Sequence, residues 1–321
     1  MTTPGLEFAP DDLVTPVPAA APPSGAQYRI SHGDQHATIT EIGAAVREYR
    51  VGDRDVFQPY GEHEFSQAFH GSVLLPWPNR IRDGCYHFDG ADYQLAITEP
   101  TRMTALHGLS PWRPWSVVSH DDSRVVLSLS LLPSIGYPFF LDTEIEYALG
   151  PEGLSITARS TNTGGVPLPY GIGFHPYLSG GGALLDECQL RIDADRRFRC
   201  DDRLIPIGTE DVEGTPFDFR EPHKLGSLSM DDAFGGISRD TNGKAWISLA
   251  APDGHTAGVW SDSSCGFWQV FTGDTLPGER RRTGMAAEPM TAAPDAFNSG
   301  TGLAVLAPRE SMVVRWGAVL S

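Results

Sequence analysis

Runs of alternating hydrophobic and polar residues recur along most of this chain. Val125–Leu132 sets Leu127, Leu129 and Leu131 against serines, and Leu141–Leu149 sets Leu141, Ile145, Tyr147 and Leu149 against acidic residues. Leu154–Arg159 continues the pattern. A period of two places the apolar side chains on one face of an extended strand, so these runs predict half-buried antiparallel strands with one wet face. Shorter strands are predicted at Tyr28–Ile30, Ala37–Ile42, Val46–Val51, Gln189–Ile192, Ala245–Leu249, Ala257–Trp260, Phe267–Phe271, Leu303–Leu306 and Met312–Leu320, with a hairpin turn at Phe88-Asp-Gly90. No helical periodicity extends beyond about two turns. Strands spread evenly through the chain predict an all-β fold, one large antiparallel β-sandwich over residues 26–321. Residues 1–25, rich in Pro and Ala without periodicity, read as a flexible tail.

Composition narrows the function classes. The 35 glycines and 26 prolines suit many turns, and the formal net charge of -17 argues against nucleic acid and anionic membrane surfaces as partners. No apolar run is long enough to span a bilayer, and no secretory signal pattern opens the chain, so a cytoplasmic location is expected. The four cysteines, at 85, 188, 200 and 265, lack metal-type spacing and are expected to be reduced thiols.

Two stretches carry candidate chemistry. In Leu168-Pro-Tyr-Gly-Ile-Gly-Phe-His-Pro-Tyr177, read as one extended strand, Gly171, Gly173, His175 and Tyr177 share a face. Two glycines beside a histidine leave room for something to lie against the backbone, and Pro176 holds His175 in extended geometry. In Gly284-Met-Ala-Ala-Glu-Pro-Met290, Glu288 follows small residues on its face and also precedes a proline. For a lone histidine the ordinary explanation is packing; a matching carboxylate makes His175 and Glu288 candidates for general acid–base work. Asn79-Arg80 follows two prolines and presents a guanidinium fork, with a plain surface arginine as the competing reading. His107 lies beside Gly108, with Trp112 and Trp115 nearby as sugar-stacking or core indoles. His107 and His175 are far apart in sequence with no third ligand suggested, so no metal is expected.

The chain resembles the aldose 1-epimerase (galactose mutarotase) family. The resemblance rests on Pro76-Trp-Pro-Asn-Arg-Ile-Arg-Asp-Gly84, Leu106-His-Gly-Leu109, Gly171-Ile-Gly-Phe-His-Pro-Tyr177, Met230-Asp-Asp-Ala-Phe234, Ala287-Glu-Pro-Met-Thr291 and Pro294-Asp-Ala-Phe-Asn298, in family order. It implies a β-supersandwich that interconverts the anomers of free aldoses such as galactose or glucose, as a cofactor-independent isomerase. It casts His175 as the acid toward the ring oxygen and Glu288 as the base at the anomeric hydroxyl. Arg80, His107 and Asp231 become substrate-holding residues, with Asn79 and Gln269 beside them; Asp231 and Asp232 compete for one role. The partner implied is a small-molecule aldose. The alternatives are a hexose-6-phosphate epimerase using Arg80/Arg82 or Arg280-Arg-Arg282, and a non-catalytic carbohydrate-binding protein of the same fold.

Overall fold

A computed structural model describes residues 21–321. It is built from two large sheets whose strand pairings are all antiparallel among the described residues. The first sheet runs Gln27–His32, Gln35–Thr40, Val46–Val51, Arg54–Phe57, Tyr177–Ser179, Gly284–Met290, Phe267–Phe271, Asp231–Ile237, Ala194–Cys200 and Pro206–Asp211. The short strands Val73–Leu74 and Gly173–Phe174 join it beside Gly284–Met290. The second runs Ser116–His120, Arg124–Leu131, Leu141–Gly150, Gly153–Asn162, Ser311–Leu320, Thr256–Ser261, Ala245–Ala250, Gln189–Ile192 and His223–Lys224.

The sheets share one apolar core. Trp316 of the second sheet packs on Phe57 and Phe174 of the first, with ring centroids 6.4 and 5.1 Å apart. Inward residues of Leu141–Gly150 are buried at every second position, as the alternation requires. The only α-helix among the described residues is the single turn Ala296–Ser299. Among the described residues no helix is long and apolar enough to cross a membrane. The four cysteines are free thiols.

Three expectations change. Leu168–Tyr177 is not one strand: it divides into Leu168–Tyr170, Gly173–Phe174 and the start of Tyr177–Ser179. It breaks because Gly171 N–H donates to the Pro76 carbonyl (2.7 Å) and Ile172 N–H to Thr291 Oγ1 (2.9 Å). Nor is its glycine face open. A Cβ at Gly173 would lie 2.7 Å from Pro78 Cβ, so the glycines admit the Pro78 ring and hold the Pro76–Arg80 turn against the sheet. Finally, Ser116–His120, Ala194–Cys200, Pro206–Asp211 and Asp231–Ile237 form strands that apolar periodicity does not announce. The expected tail falls mainly on residues 1–20, outside the described residues. Within 21–25, Ser24 is buried and its carbonyl accepts Ile42 N–H, so contacts with the sheet begin just before the first strand.

Candidate active site

Glu288 lies in mid-strand at the centre of the first sheet, directly across from Gln269. The flanking strands bury it almost completely, at 1 % exposure. His175 follows the short strand Gly173–Phe174, and its backbone is clamped on both sides: its N–H donates to the Ser72 carbonyl, and its carbonyl accepts Gly71 N–H. The imidazole lies between the rings of Tyr177 (5.1 Å) and Phe69 (6.3 Å), both within 30° of parallel, and meets His107 edge-on. In that position His175 Nε2 is 3.2 Å from Glu288 Oε1. His175 Nδ1 and Glu288 Oε2 are buried without a protein hydrogen-bond partner.

A second group of residues continues from Glu288. Gln269 donates through Nε2 to Asp231 Oδ1 (2.6 Å), and Asp231 Oδ2 lies 3.5 Å from Arg80 Nη2. Arg80 is buried rather than a surface arginine, and it donates through Nε and Nη2 to the two oxygens of Glu99 at 2.8 and 3.1 Å. Asp231 and Asp232 diverge as adjacent strand residues must. Asp231 faces Gln269 and Arg80, while Asp232 pairs with Arg197 at 2.6 Å.

Asn79 and His107 are coupled through their backbones. Both have positive φ, at 55° and 59°. His107 N–H donates to the Asn79 carbonyl, and Asn79 N–H donates to His107 Nδ1 at 3.1 Å. Asn79 Oδ1 accepts Arg80 N–H, so this oxygen is spent on shaping the turn. With Nδ1 accepting, the ring proton of His107 sits on Nε2, making that nitrogen a donor.

Burial dominates the protonation of these groups. It lowers the pKa of His175 to about 3, aided by His70, and takes His107 well below the ordinary histidine value. It raises Glu288 well above the usual carboxylate range, reinforced by Asp231 and opposed by Arg80. Burial also raises the Glu99 carboxyl, but hydrogen bonding and charge from Arg80 outweigh it and the net direction is down. His175 and Glu288 therefore form a buried pair in which burial favours the neutral forms, with one proton available between them.

The sequence suggests no third ligand near the histidines; the fold supplies one. Ligand atoms of His107, His175 and Glu288 lie within 4.8 Å of one another. The set is a poor fit for a cation, because a metal on His107 would have to displace either the Nε2 proton or the Asn79 contact to Nδ1.

Sequence reasoning missed Glu99, Phe69, Tyr177 as a ring support, and Phe65 as the partner of Trp112. Trp112 is half exposed, stacks on Phe65 at 5.2 Å and lies 5.5 Å from Phe69; Trp115 is core. The Glu-Pro signal that marks Glu288 also occurs at Glu99-Pro100, but equally at Glu221-Pro222, where Glu221 is exposed.

Residues 26–316 match the family model described as aldose 1-epimerase. The uncharacterized protein YihR of Escherichia coli K12 is 35 % identical over 287 residues, covering 88 % of this chain and 89 % of that protein. Human galactose mutarotase is 27 % identical over 224 residues, which cover 63 % of this chain and 60 % of the human protein. Among solved structures, the GalM/aldose epimerase homologue from C. elegans superposes with a TM-score of 0.83 at 20 % identity, over 92 % of this chain and 98 % of that one.

Proposed function

The chain belongs to the aldose 1-epimerase family, and on that premise we propose that it interconverts the α and β anomers of free aldohexoses such as galactose or glucose. The observation that carries this reading is the buried contact of His175 Nε2 with Glu288 Oε1 at 3.2 Å. A hemiacetal opens when O1–H loses its proton and the ring oxygen gains one as the C1–O5 bond breaks. An acid and a base close enough to share a single proton suit that exchange.

Burial leaves the shared proton on Glu288 when no sugar is bound. Sugar hydroxyls that hydrogen-bond to the carboxylate favour its charged form, and the proton then passes across the direct contact to His175. His175 donates it to the ring oxygen while Glu288 takes the O1 proton. Rotation about C1–C2 presents the other carbonyl face, and closure runs with the roles reversed. His107 offers its Nε2–H, and Arg80, Asp231 and Gln269 hold the sugar hydroxyls. Buried Asn79 shapes the turn that orients His107 and Arg80. Gln269 Oε1, buried without a protein partner, is suited to accept a substrate hydroxyl. None of these steps calls on a cofactor.

The geometry favours a free sugar over its 6-phosphate. Four of the five arginines named for a phosphate site face carboxylates already, Arg80 with Glu99 and Asp231, Arg82 with Asp201 and Asp295, Arg280 with Glu64, and Arg282 with Asp186 and Asp274, which leaves the exposed Arg281. Polarimetry on fresh α-glucose and α-galactose, corrected for the spontaneous rate, tests the reading. Glu288→Gln and His175→Asn are each expected to lower kcat about 10²–10⁴-fold, with the double variant little worse than the poorer single one. Near-normal kcat in a folded Glu288→Gln protein refutes the assignment.

A further inference from the structure

Glu99 lies beside the acid–base pair's neighbours without touching the pair. Its carboxylate is fully engaged: Oε2 accepts Arg80 Nε (2.8 Å) and Thr104 Oγ1 (2.7 Å), and Oε1 accepts Arg80 Nη2 (3.1 Å) and Arg102 Nη1 (2.8 Å). Both members of the Arg80–Glu99 pair are largely buried, with side chains 8 and 12 % exposed. The backbone holds Glu99 in place as well. Its N–H and C=O both bond to Thr104, closing the turn that leads into Thr104–Leu106. That strand pairs with Arg80–Arg82 and ends beside His107. Glu99 thus ties the strand bearing Arg80 to the strand that delivers His107.

We infer that Glu99 is a positioning residue for substrate binding, which holds the Arg80 fork from behind and keeps it from closing onto Asp231. A bidentate carboxylate–guanidinium pair fixes the plane of the fork. Here it takes Nε and one edge of Nη2, while Nη1 has no protein partner among the described residues. At 3.5 Å the Arg80–Asp231 contact is longer than a good hydrogen bond. Removing the Glu99 charge leaves a buried guanidinium with Asp231 as its nearest remaining counter-ion. Arg80 then swings onto Asp231, and both groups are lost to the sugar.

This inference rests on the proposed sugar site, but its primary readout is binding, which requires no turnover. By calorimetry with equilibrated glucose or galactose, Glu99→Gln is expected to raise Kd about tenfold, in line with losing one hydrogen bond to a charged group. KM for the fresh α-anomer should rise in parallel, with kcat kept within about twofold because His175 and Glu288 are untouched. A purely structural role would lower the melting temperature and the active fraction and leave Kd and KM alone.

Rescue provides the second arm. In Arg80→Ala, millimolar guanidinium chloride is expected to restore affinity, because Glu99 still offers a seat for the ion. In Arg80→Ala/Glu99→Gln it is expected to restore nothing. An unchanged Kd in folded Glu99→Gln, or equal rescue of both backgrounds, overturns the inference. If Glu99→Gln does not fold, Thr104→Val loosens the same carboxylate and should raise Kd about threefold; no change there overturns the inference equally. Binding loss in Glu99→Gln with no turnover by the unmodified protein would uphold the role of Glu99 while refuting the proposed activity.

Discussion

His70 provides a quantitative test of how dry the wall of the site is. Its ring is buried between Tyr177, stacked at 4.3 Å, and the edge of Tyr60, and Nε2 donates to the Gln58 carbonyl at 2.6 Å. Tyr177 in turn stacks on His175, so His70 backs the column of rings that sets the imidazole. Burial lowers the His70 pKa from 6.5 to about 3. The folded-state value lies below the unfolded one, so the unfolded chain binds more protons between them. The stability that neutral His70 allows is present above pH 6.5 and is lost as pH falls toward 3. Between pH 7 and pH 5 that loss integrates to about 2 kcal/mol from this one group. His70→Gln keeps a donor for the Gln58 carbonyl but removes the titration. It should cost about 1 kcal/mol at pH 7 through the lost stacking. Its unfolding free energy by urea should then fall about 2 kcal/mol less than that of the unmodified protein between pH 7 and pH 5. Equal pH dependence in the two proteins would mean that His70 protonates inside the folded state, and would refute the dry-wall argument.

Other outcomes follow from the same geometry. The pair His175–Glu288 should keep its single proton well below the ordinary histidine value, because His175 accepts a second proton only near pH 3. The pH profile of kcat/KM is therefore expected to stay flat from pH 7 to pH 5; an acid limb near 6.5 would contradict it. Asp231→Asn should lower kcat/KM about tenfold or more, whereas Asp232→Asn, which weakens the pair with Arg197 and keeps an amide oxygen for Asp231 N–H, should lower the melting temperature and leave kcat/KM unchanged. Gly173→Ala forces a methyl against Pro78 and Met290 and should cost about 1–3 kcal/mol in urea unfolding, displacing the Pro76–Arg80 turn.

What could be read from the sequence follows from how each element is stabilised. Leu141–Gly150 and Gly153–Asn162 bury an apolar face, and that face is written as alternation. Ala194–Cys200 is held differently. Arg197 bridges Asp232 and Glu210 on its neighbouring strands and stacks over Phe217, so its pairing depends on charges brought together only by folding. Ser116–His120 is exposed throughout and has no buried face to announce it. Small residues and a following proline mark His175 and Glu288 in the sequence, yet the glycines before His175 serve to seat Pro78. Glu99 was illegible because its partners Arg80, Arg102 and Thr104 define it, and a Glu-Pro dipeptide does not.

The charges around Glu288 explain why the proton stays within the pair. Asp231 pushes its pKa up and Arg80 pulls it down. Acting alone, the Arg80 guanidinium would stabilise the Glu288 carboxylate and loosen its hold on the proton. Asp231, held by Gln269 and 3.5 Å from Arg80, sets its negative charge against that pull. Against that charge, in a buried setting, an ionised Glu288 is costly unless His175 carries the proton 3.2 Å away. In the proposed reaction these charges keep one proton between two fixed atoms, which is what reversible opening of a hemiacetal requires of its acid and its base.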